Sequence, residues 1–276
     1  MPNPTTSVED RSLTLSPASR GSGIALTTPR ALRPEETLLS RTTKRQLFVP
    51  AFIILALSGS LFSHAAQKKS PAGSIFVSDK GKFKVLLDGK TVGQEDFDIS
   101  PSGVGWIAKG TNHFTVEGTP PATVTGNLSL SADGAPISYD WTSQSNKNSS
   151  ARILFVNGVA KMTVQLGSAH SFEQDLTFTS PLIVVLDDNL YYQYALLARV
   201  YDWNRRGTQT FSVLVPQELL PGTITVDWAG ALSAESKAYE GLKVTTSDLE
   251  VILYLDSNHR LMRLEVPSSK AAVIRE

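Results

Sequence analysis

The chain contains no cysteine among its 276 residues, which excludes both disulfide bonds and thiol chemistry. The same absence excludes the lipidated cysteine that anchors bacterial lipoproteins. The chain also lacks a net charge, because its 26 basic residues are equal in number to its 26 acidic residues. Nucleic acids bind strongly basic surfaces, so this composition argues against a nucleic-acid partner.

Recognisable catalytic and ligand motifs are absent as well. The sequence has no His-Glu-x-x-His, Gly-x-Ser-x-Gly or Gly-x-Gly-x-x-Gly motif, no phosphate-binding loop and no Asp-x-Asp-x-Asp-Gly calcium pattern. His113, His170 and His259 are not at metal-ligand spacing, and we interpret them as structural or surface residues, with His259 in a solvated turn. The sequence therefore predicts no catalytic residue, no metal site and no cofactor.

A hydrophobic run long enough to span a membrane is also missing. Residues 47–62 are apolar, but Pro50 and residues 58–60 interrupt them, and they fall short of the ~20 residues that a spanning helix needs. Lys44-Arg45 precedes this run, and the small residues of Ser63-His64-Ala65-Ala66 follow it. A charged, an apolar and a small-residue part in this order are typical of a secretory signal peptide.

The signal peptide divides the chain. We predict it over residues 44–65, with cleavage after Ala65 or one residue later, and an uncleaved anchor is the alternative. Residues 1–43 are expected to be a disordered extension that results from a start codon assigned too far upstream. Residues 66–73 then form a linker and residues 74–276 a single β-domain. The signal and the absence of disulfides predict a periplasmic or secreted bacterial protein.

Turn signals divide the rest of the chain into strands. Asp88-Gly89, Asp133-Gly134 and Asn157-Gly158 each separate two stretches of alternating apolar residues, which predicts three two-residue β-hairpins. Residues 256–259 predict a fourth hairpin with a longer loop. We therefore expect a mainly β fold, an antiparallel meander that forms a curved sheet or half-barrel. Further strands are expected at residues 104–108, 112–117, 172–178, 182–186, 209–215, 223–228 and 242–246.

One segment departs from this alternation. Residues 188–205 are predicted to form a single long helix packed on the concave face of the sheet. Asp187-Asp188 would stabilise its N-terminal end, Arg205-Arg206 its C-terminal end, and Gly207 would stop it. Several of its side chains have large apolar bodies that suit the wall of a pocket, the alternative being a plain helix–sheet core. The residues predicted to bind a ligand are Tyr191, Tyr194, Leu197, Tyr201 and Trp203.

Three further carboxylates lie close together at Glu95-Asp96 and Asp98. Strand alternation places Glu95 on the face of Phe97, and Asp96 on the same face as Asp98. We interpret these carboxylates as a charged, solvent-facing strand edge. The alternative is that two of them bind a cation or act as an acid–base pair.

Two stretches resemble a group of exported bacterial β-rich proteins of unknown function. They are residues 83–95, where Val92-Gly93 follows the first hairpin turn, and residues 181–190, which lead into the helix. That group is similar in outline to the periplasmic lipoprotein carriers. The open barrel of those carriers shelters acyl chains against helices. The resemblance implies a fold of this kind, and it implies neither an activity nor any site residue.

These features together predict an exported, non-enzymatic protein that binds or carries a hydrophobic or amphipathic ligand, such as a lipid, in the cell envelope. A structural or protein-interaction component of the envelope is the alternative, and an envelope hydrolase is a weaker one. After cleavage of the signal we expect no membrane span to remain.

N-terminal sequencing of the protein taken from the periplasm of a bacterial host checks the signal-peptide prediction. We expect the mature chain to begin at Ala66, because Ser63 and Ala65 place small residues at the cleavage site. Ala65→Arg is expected to preserve the longer precursor. A mature chain that still begins at Met1 contradicts the prediction.

Overall fold

The computed structural model describes residues 71–180, 182–247 and 249–276. The predicted extension, the predicted signal peptide and most of the predicted linker lie outside the described residues. The described part contains one α-helix, α1 (Tyr192–Val200), and one short 3-10 turn (Pro267–Ser269). Its fifteen strands are β1 (Asp79–Leu87), β2 (Lys90–Ser102), β3 (Gly105–Phe114), β4 (Ala122–Leu130), β5 (Pro136–Gln144), β6 (Ser149–Val156), β7 (Val159–Leu166), β8 (Phe172–Thr177), β9 (Ile183–Val185), β10 (Gln209–Val215), β11 (Leu220–Ala234), β12 (Lys237–Thr245), β13 (Glu250–Leu255), β14 (Leu261–Val266) and β15 (Ala271–Arg275).

All fifteen strands lie in one sheet. Strands β1 to β8 follow one another in order, whereas β15 pairs with β1 and leads through β14 back to β9 on the other side. Every neighbouring pair is antiparallel except β9 and β10, which are parallel. The edge strands β8 and β9 are not hydrogen-bonded to each other in the described residues, so the curved sheet does not close. The expected mainly β fold, with a curved antiparallel sheet and a helix, is confirmed.

Arg275 ties the last strand to the first. Its Nη1 donates a hydrogen bond to Asp79 Oδ2 at 3.0 Å, and its guanidinium lies over the ring of Phe97 at 5.2 Å. Phe97 in turn stacks on Phe83 of β1, with ring centroids 4.7 Å apart. The two halves of the sheet are therefore joined through β1 and β15 by the strand ladder, an ion pair and an aromatic stack.

The predicted turns differ in their backbone conformation. Asp88-Gly89 has φ values of 48° and 75°, and Asn157-Gly158 has 51° and 77°, as two-residue turns with both φ values positive require. At Asp133-Gly134 only Gly134 has a positive φ, of 96°. There β4 ends at Leu130 and β5 begins at Pro136, so the predicted two-residue turn is a longer loop.

Two sequence predictions about element length are wrong. Helix α1 has nine residues instead of the eighteen predicted for residues 188–205. Its C-terminal end lies at Tyr201, whose backbone is extended, and Asp202 Oδ1 then accepts the N–H groups of Asn204 and Arg205 in a turn that competes with helix. Two strands were predicted at residues 104–108 and 112–117, whereas the structure has the single strand β3, which runs without a break from Gly105 to Phe114.

Helix α1 packs against the sheet at two glycines. The ring of Tyr192 lies so close to Gly110 of β3 that an added Cβ would be 2.4 Å from its Cδ1. Leu190, just before the helix, approaches Gly126 of β4, where a Cβ would be 2.5 Å from Leu190 Cδ1. Tyr192 and Leu190 are both fully buried. Missing side chains on β3 and β4 therefore let the helix pack tightly against this part of the sheet.

We expect Gly110→Ala and Gly126→Ala each to lower the free energy of unfolding by about 1–3 kcal/mol, because the added methyl group overpacks this contact. At a strand position with free space, replacing glycine by alanine instead raises the free energy of unfolding by about 0.5–1 kcal/mol. Urea unfolding measures the difference, and Ser233→Ala, at an exposed position of β11, is the control. A Gly110→Ala variant more stable than the parent contradicts this account of the packing.

Candidate functional site

A carboxyl group of the sheet holds the N-terminal end of α1. Glu95, in β2, accepts hydrogen bonds from the backbone N–H of Tyr191 to Oε2 at 2.7 Å and of Tyr192 to Oε1 at 2.9 Å. The first N–H groups of a helix have no partner within the helix and need an acceptor from elsewhere. Glu95 has no exposed surface, so this contact is sealed from water.

The prediction that Asp187 and Asp188 cap the helix is wrong. Asp187 Oδ1 accepts the N–H of Asn189 at 3.1 Å, in a turn that precedes the helix, and Asp187 Oδ2 accepts the hydroxyl of Tyr139 at 3.2 Å. Gln193 accepts the N–H of Asp187 and donates from Nε2 to Tyr139 Oη at 3.0 Å. Asp187 therefore belongs to a buried polar network between α1, β5 and the segment before the helix.

The interpretation of Glu95, Asp96 and Asp98 as one solvent-facing edge holds only for the two aspartates. Asp96 pairs with Lys82 at 2.9 Å, and Asp98 pairs with Lys80 at 3.8 Å, on the outer face of the sheet. Glu95 lies on the inner face with Phe97, as alternation requires. At this point the inner face meets the start of the helix, and the carboxyl group is buried as a result.

Burial governs the protonation of the two buried carboxyl groups. Loss of solvation raises the pKa of Glu95 to about 8, although the hydrogen bonds from the backbone of Tyr191 and Tyr192 act in the opposite direction. Loss of solvation likewise raises the pKa of Asp187 to about 6. Among the described residues, neither carboxyl group forms an ion pair with a basic side chain. At neutral pH Glu95 is therefore mostly protonated and Asp187 mostly ionised.

A cleft of about 590 Å³ lies between the start of α1 and strands of the second half of the sheet. Tyr191 and Tyr194 form its helix wall. The sheet wall carries branched apolar residues and several small ones, which leave space in front of the helix. Its residues include Val213, Val215, Gly222, Thr223, Ile224, Leu264, Val266, Ser269, Ala271 and Val273. Ligand pockets in proteins commonly have a volume of this order and a lining of this apolar character.

Acidic residues border the same cleft. Asp187 is 3% exposed, whereas Asp188 and Glu218 are exposed and form what we name the acidic rim. Partial loss of solvation raises the pKa of Asp188, and burial raises the pKa of the Tyr194 phenol to about 12. No lysine, arginine or histidine is among the described residues that line the cleft. The cleft thus combines an apolar wall with negative charge.

Of the five residues predicted to bind a ligand, the structure brings Tyr191 and Tyr194 to this cleft and places the others elsewhere. Leu197 is fully buried beside a cavity of only about 20 Å³. Tyr201 is buried, and its hydroxyl donates to the carbonyl of Gly207 at 2.7 Å. A ligand-binding role for the first two stays a prediction, and the geometry of Leu197 and Tyr201 is that of packed core residues.

Trp203 lies at the opposite end of the helix. Its Nε1 donates to the carbonyl of Ala198 at 2.9 Å, and its ring stacks on His259 with centroids 3.7 Å apart. His259 Nε2 lies 3.0 Å from Glu240 Oε2. His259 lies in the turn, as predicted, but it is half-buried between an aromatic ring and a carboxylate and not simply solvated.

The sequence alone did not predict that the buried contact between the helix and the sheet involves Glu95, Tyr192 and Gln193. The face shared by Glu95 and Phe97 was a usable signal for burial of the carboxyl group. Tyr192 lies off the predicted apolar stripe of the helix, and only its fit against Gly110 explains its burial. In the described ranges no three histidine or acidic side chains lie together as a metal site would require, and no helix there is long and apolar enough to cross a membrane.

The described part is thus an open, barrel-like antiparallel sheet around one helix, with an apolar cleft between the two. Among solved structures, the chain is similar to a β-barrel-like protein of domain of unknown function DUF1849 from Brucella abortus, with 12% identity and a TM-score of 0.49 over 72% of this chain and 95% of that one. It is also similar to a DUF1089 family protein from Pseudomonas aeruginosa, with 11% identity and a TM-score of 0.41 over 64% of this chain and 91% of that one. No protein-family model and no curated protein matches the sequence.

The raised pKa of Glu95 predicts how stability depends on pH. The folded protein keeps a proton that the unfolded chain releases above pH ~4.5, so the free energy of unfolding falls as pH rises towards ~8, by at most about 1.4 kcal/mol per unit. Asp187 adds a fall of the same sign that ends near pH ~6. Urea unfolding between pH ~6.5 and ~8 isolates the contribution of Glu95.

We expect Glu95→Gln to abolish this fall above pH ~6.5, because the amide does not ionise. Asp96→Asn, which removes the neighbouring exposed carboxylate of the same strand, is the matched control and is expected to keep the fall. An unchanged slope in Glu95→Gln would show that Glu95 is already ionised in the folded protein.

Proposed function

We propose that this chain is an exported protein that binds a hydrophobic or amphipathic small molecule in the cleft between α1 and strands β10 to β15. The observation that carries the proposal is the difference between the two sides of the segment at the start of the helix. On the side of Gly110 and Gly126 the helix is in tight contact with the sheet. On the side of Val213 and Val273 a space of about 590 Å³ remains.

A protein interior packs as densely as an organic crystal and contains few spaces larger than a water molecule. The small cavity beside Leu197, at about 20 Å³, shows how little space the packed part of the same core leaves. Two residues of the sheet wall that line this space, Ser269 and Ala271, have small side chains. An apolar ligand would replace the missing side chains and gain roughly 25 cal/mol for each Å² of apolar surface removed from water.

The helix wall of the cleft is held in place before any ligand arrives. The hydrogen bonds from Tyr191 and Tyr192 to Glu95 fix the start of the helix, and Tyr194 follows within its first turn. Because this wall does not have to reorganise when a ligand binds, less conformational entropy is lost on binding. An exported protein with such a site would serve as a binding or carrier protein of the cell envelope.

An envelope component that contacts another protein is the second candidate. Leu154 and Val156 are 47% and 49% exposed on alternate residues of β6, and they therefore share the outer face of the sheet. Apolar side chains exposed next to one another can contribute to a protein interface. This candidate requires neither an occupied cleft nor a ligand, and the binding experiment below distinguishes the two.

A neutral fluorescent probe, N-phenyl-1-naphthylamine, tests the binding site directly. We expect the purified protein to bind it and Ala271→Phe to weaken binding at least tenfold, because the new ring occupies the cleft from the sheet wall. Ala272→Phe is the matched control, since the next residue of β15 points to the other face of the sheet. We expect this control to bind like the parent, and circular dichroism confirms that both variants are folded.

Native mass spectrometry of the protein taken from the periplasm adds an independent measurement. We expect a bound apolar molecule in the parent and in Ala272→Phe, and its loss in Ala271→Phe. Failure of the parent to bind the probe, together with the absence of any co-purified molecule, contradicts the proposed function and favours the interaction candidate. Equal probe binding by both variants places the binding site outside the cleft.

A further inference from the structure

The acidic rim of the cleft carries charge that the described part of the protein does not neutralise. The carboxyl groups of Asp188 and Glu218 make no hydrogen bond and no ion pair with any described residue. Asp187, next in the chain to Asp188, adds a third carboxyl group to the lining. Its oxygens accept hydrogen bonds, but no cation accompanies them.

Two basic residues that are close in sequence to residues of the cleft form ion pairs with acids outside the cleft. Lys270 lies between two cleft residues in the sequence, yet its Nζ pairs with Asp88 at 3.2 Å. Lys243 of β12 pairs with Glu250 at 3.6 Å. The acids on the outer face of β2 likewise have lysine partners. Asp187, Asp188 and Glu218 therefore have no basic partner among the described residues at the cleft, where a ligand would meet them.

The helix wall adds a second feature that selects for positive charge. Tyr191 and Tyr194 line the cleft on the same side as Asp188, which precedes them in the chain. The face of a tyrosine ring attracts ammonium groups, and the attraction is stronger where water is displaced. Aromatic rings beside carboxylates and an apolar wall form a surface that complements an alkyl chain with a positively charged head.

From this charge complementarity we infer that the cleft selects amphiphiles with a cationic head group, such as alkylammonium compounds, over anionic amphiphiles with the same chain. The inference rests on the proposed ligand cleft and specifies its ligand class. The apolar chain lies along the sheet wall with Val213, Ile224 and Val273, and the ammonium group lies at the acidic rim. An anionic head at that position meets like charges without any compensating cation.

Displacement of N-phenyl-1-naphthylamine by three chain-matched compounds tests the inference. Dodecylamine, dodecanol and dodecanoate share one alkyl chain and carry a positive, a neutral and a negative head at neutral pH. Used below their micellar concentrations at low salt, they report the head group alone. We expect dodecylamine to bind at least tenfold more tightly than dodecanoate, with dodecanol between them, and the preference to decrease as salt screens the charges.

The double variant Asp188→Asn/Glu218→Gln removes the acidic rim and preserves side-chain size. We expect it to weaken dodecylamine binding about tenfold and to leave dodecanol binding within twofold of the parent, which also shows that the cleft is intact. Glu173→Gln, an equivalent change at an exposed position of β8, is the matched control and is expected to alter neither affinity.

The outcomes separate the two proposals. If the parent binds neither the probe nor any of the three compounds, the ligand cleft itself is refuted. If the three compounds bind equally well, or if dodecanoate binds best, the inference of cation selectivity is overturned and the proposed function stands. If the preference for dodecylamine survives in the double variant, the selectivity does not come from the acidic rim, and the inference is likewise overturned.

Discussion

The two hydrogen bonds from the N–H groups of Tyr191 and Tyr192 to Glu95 determine where the helix begins relative to the sheet. The position of the cleft depends on this contact, because Tyr191 and Tyr194 at the start of the helix form one wall of the cleft. A buried carboxyl group is unfavourable by itself, and it is tolerated here since both of its oxygens find donors. The contact also shields the two N–H groups, which water cannot reach at this depth.

The same helix is packed in two different ways on its two sides. Gly110 and Gly126 remove side chains from β3 and β4, so the helix is drawn close to the first half of the sheet. Towards β10, β11, β14 and β15 a cleft of about 590 Å³ remains beside the start of the helix. This space beside the start of the helix is the cleft on which the proposed function rests.

Local sequence patterns predicted the structure correctly where interactions between neighbouring residues decide the backbone conformation. Asp88-Gly89 and Asn157-Gly158 adopt the positive φ values that these residue pairs favour, and the alternation around them gives the strands that were expected. The long predicted helix fails because its two ends are decided by distant partners. Glu95 supplies the N-terminal acceptor from a strand about a hundred residues away, and the turn at Asp202 ends the helix early.

The sequence by itself determined the class of fold, since alternation and turn residues act over a few positions and need no tertiary context. The sequence also places Tyr191 and Tyr194 in a segment rich in aromatic residues, and the prediction of a pocket rested on that segment. Only the tertiary structure decided that Glu95 is buried and that acids border the cleft without cations. Both properties depend on which strands lie around the helix. Because the sheet is joined through its first and last strands, residues that are far apart in the sequence lie close together in space.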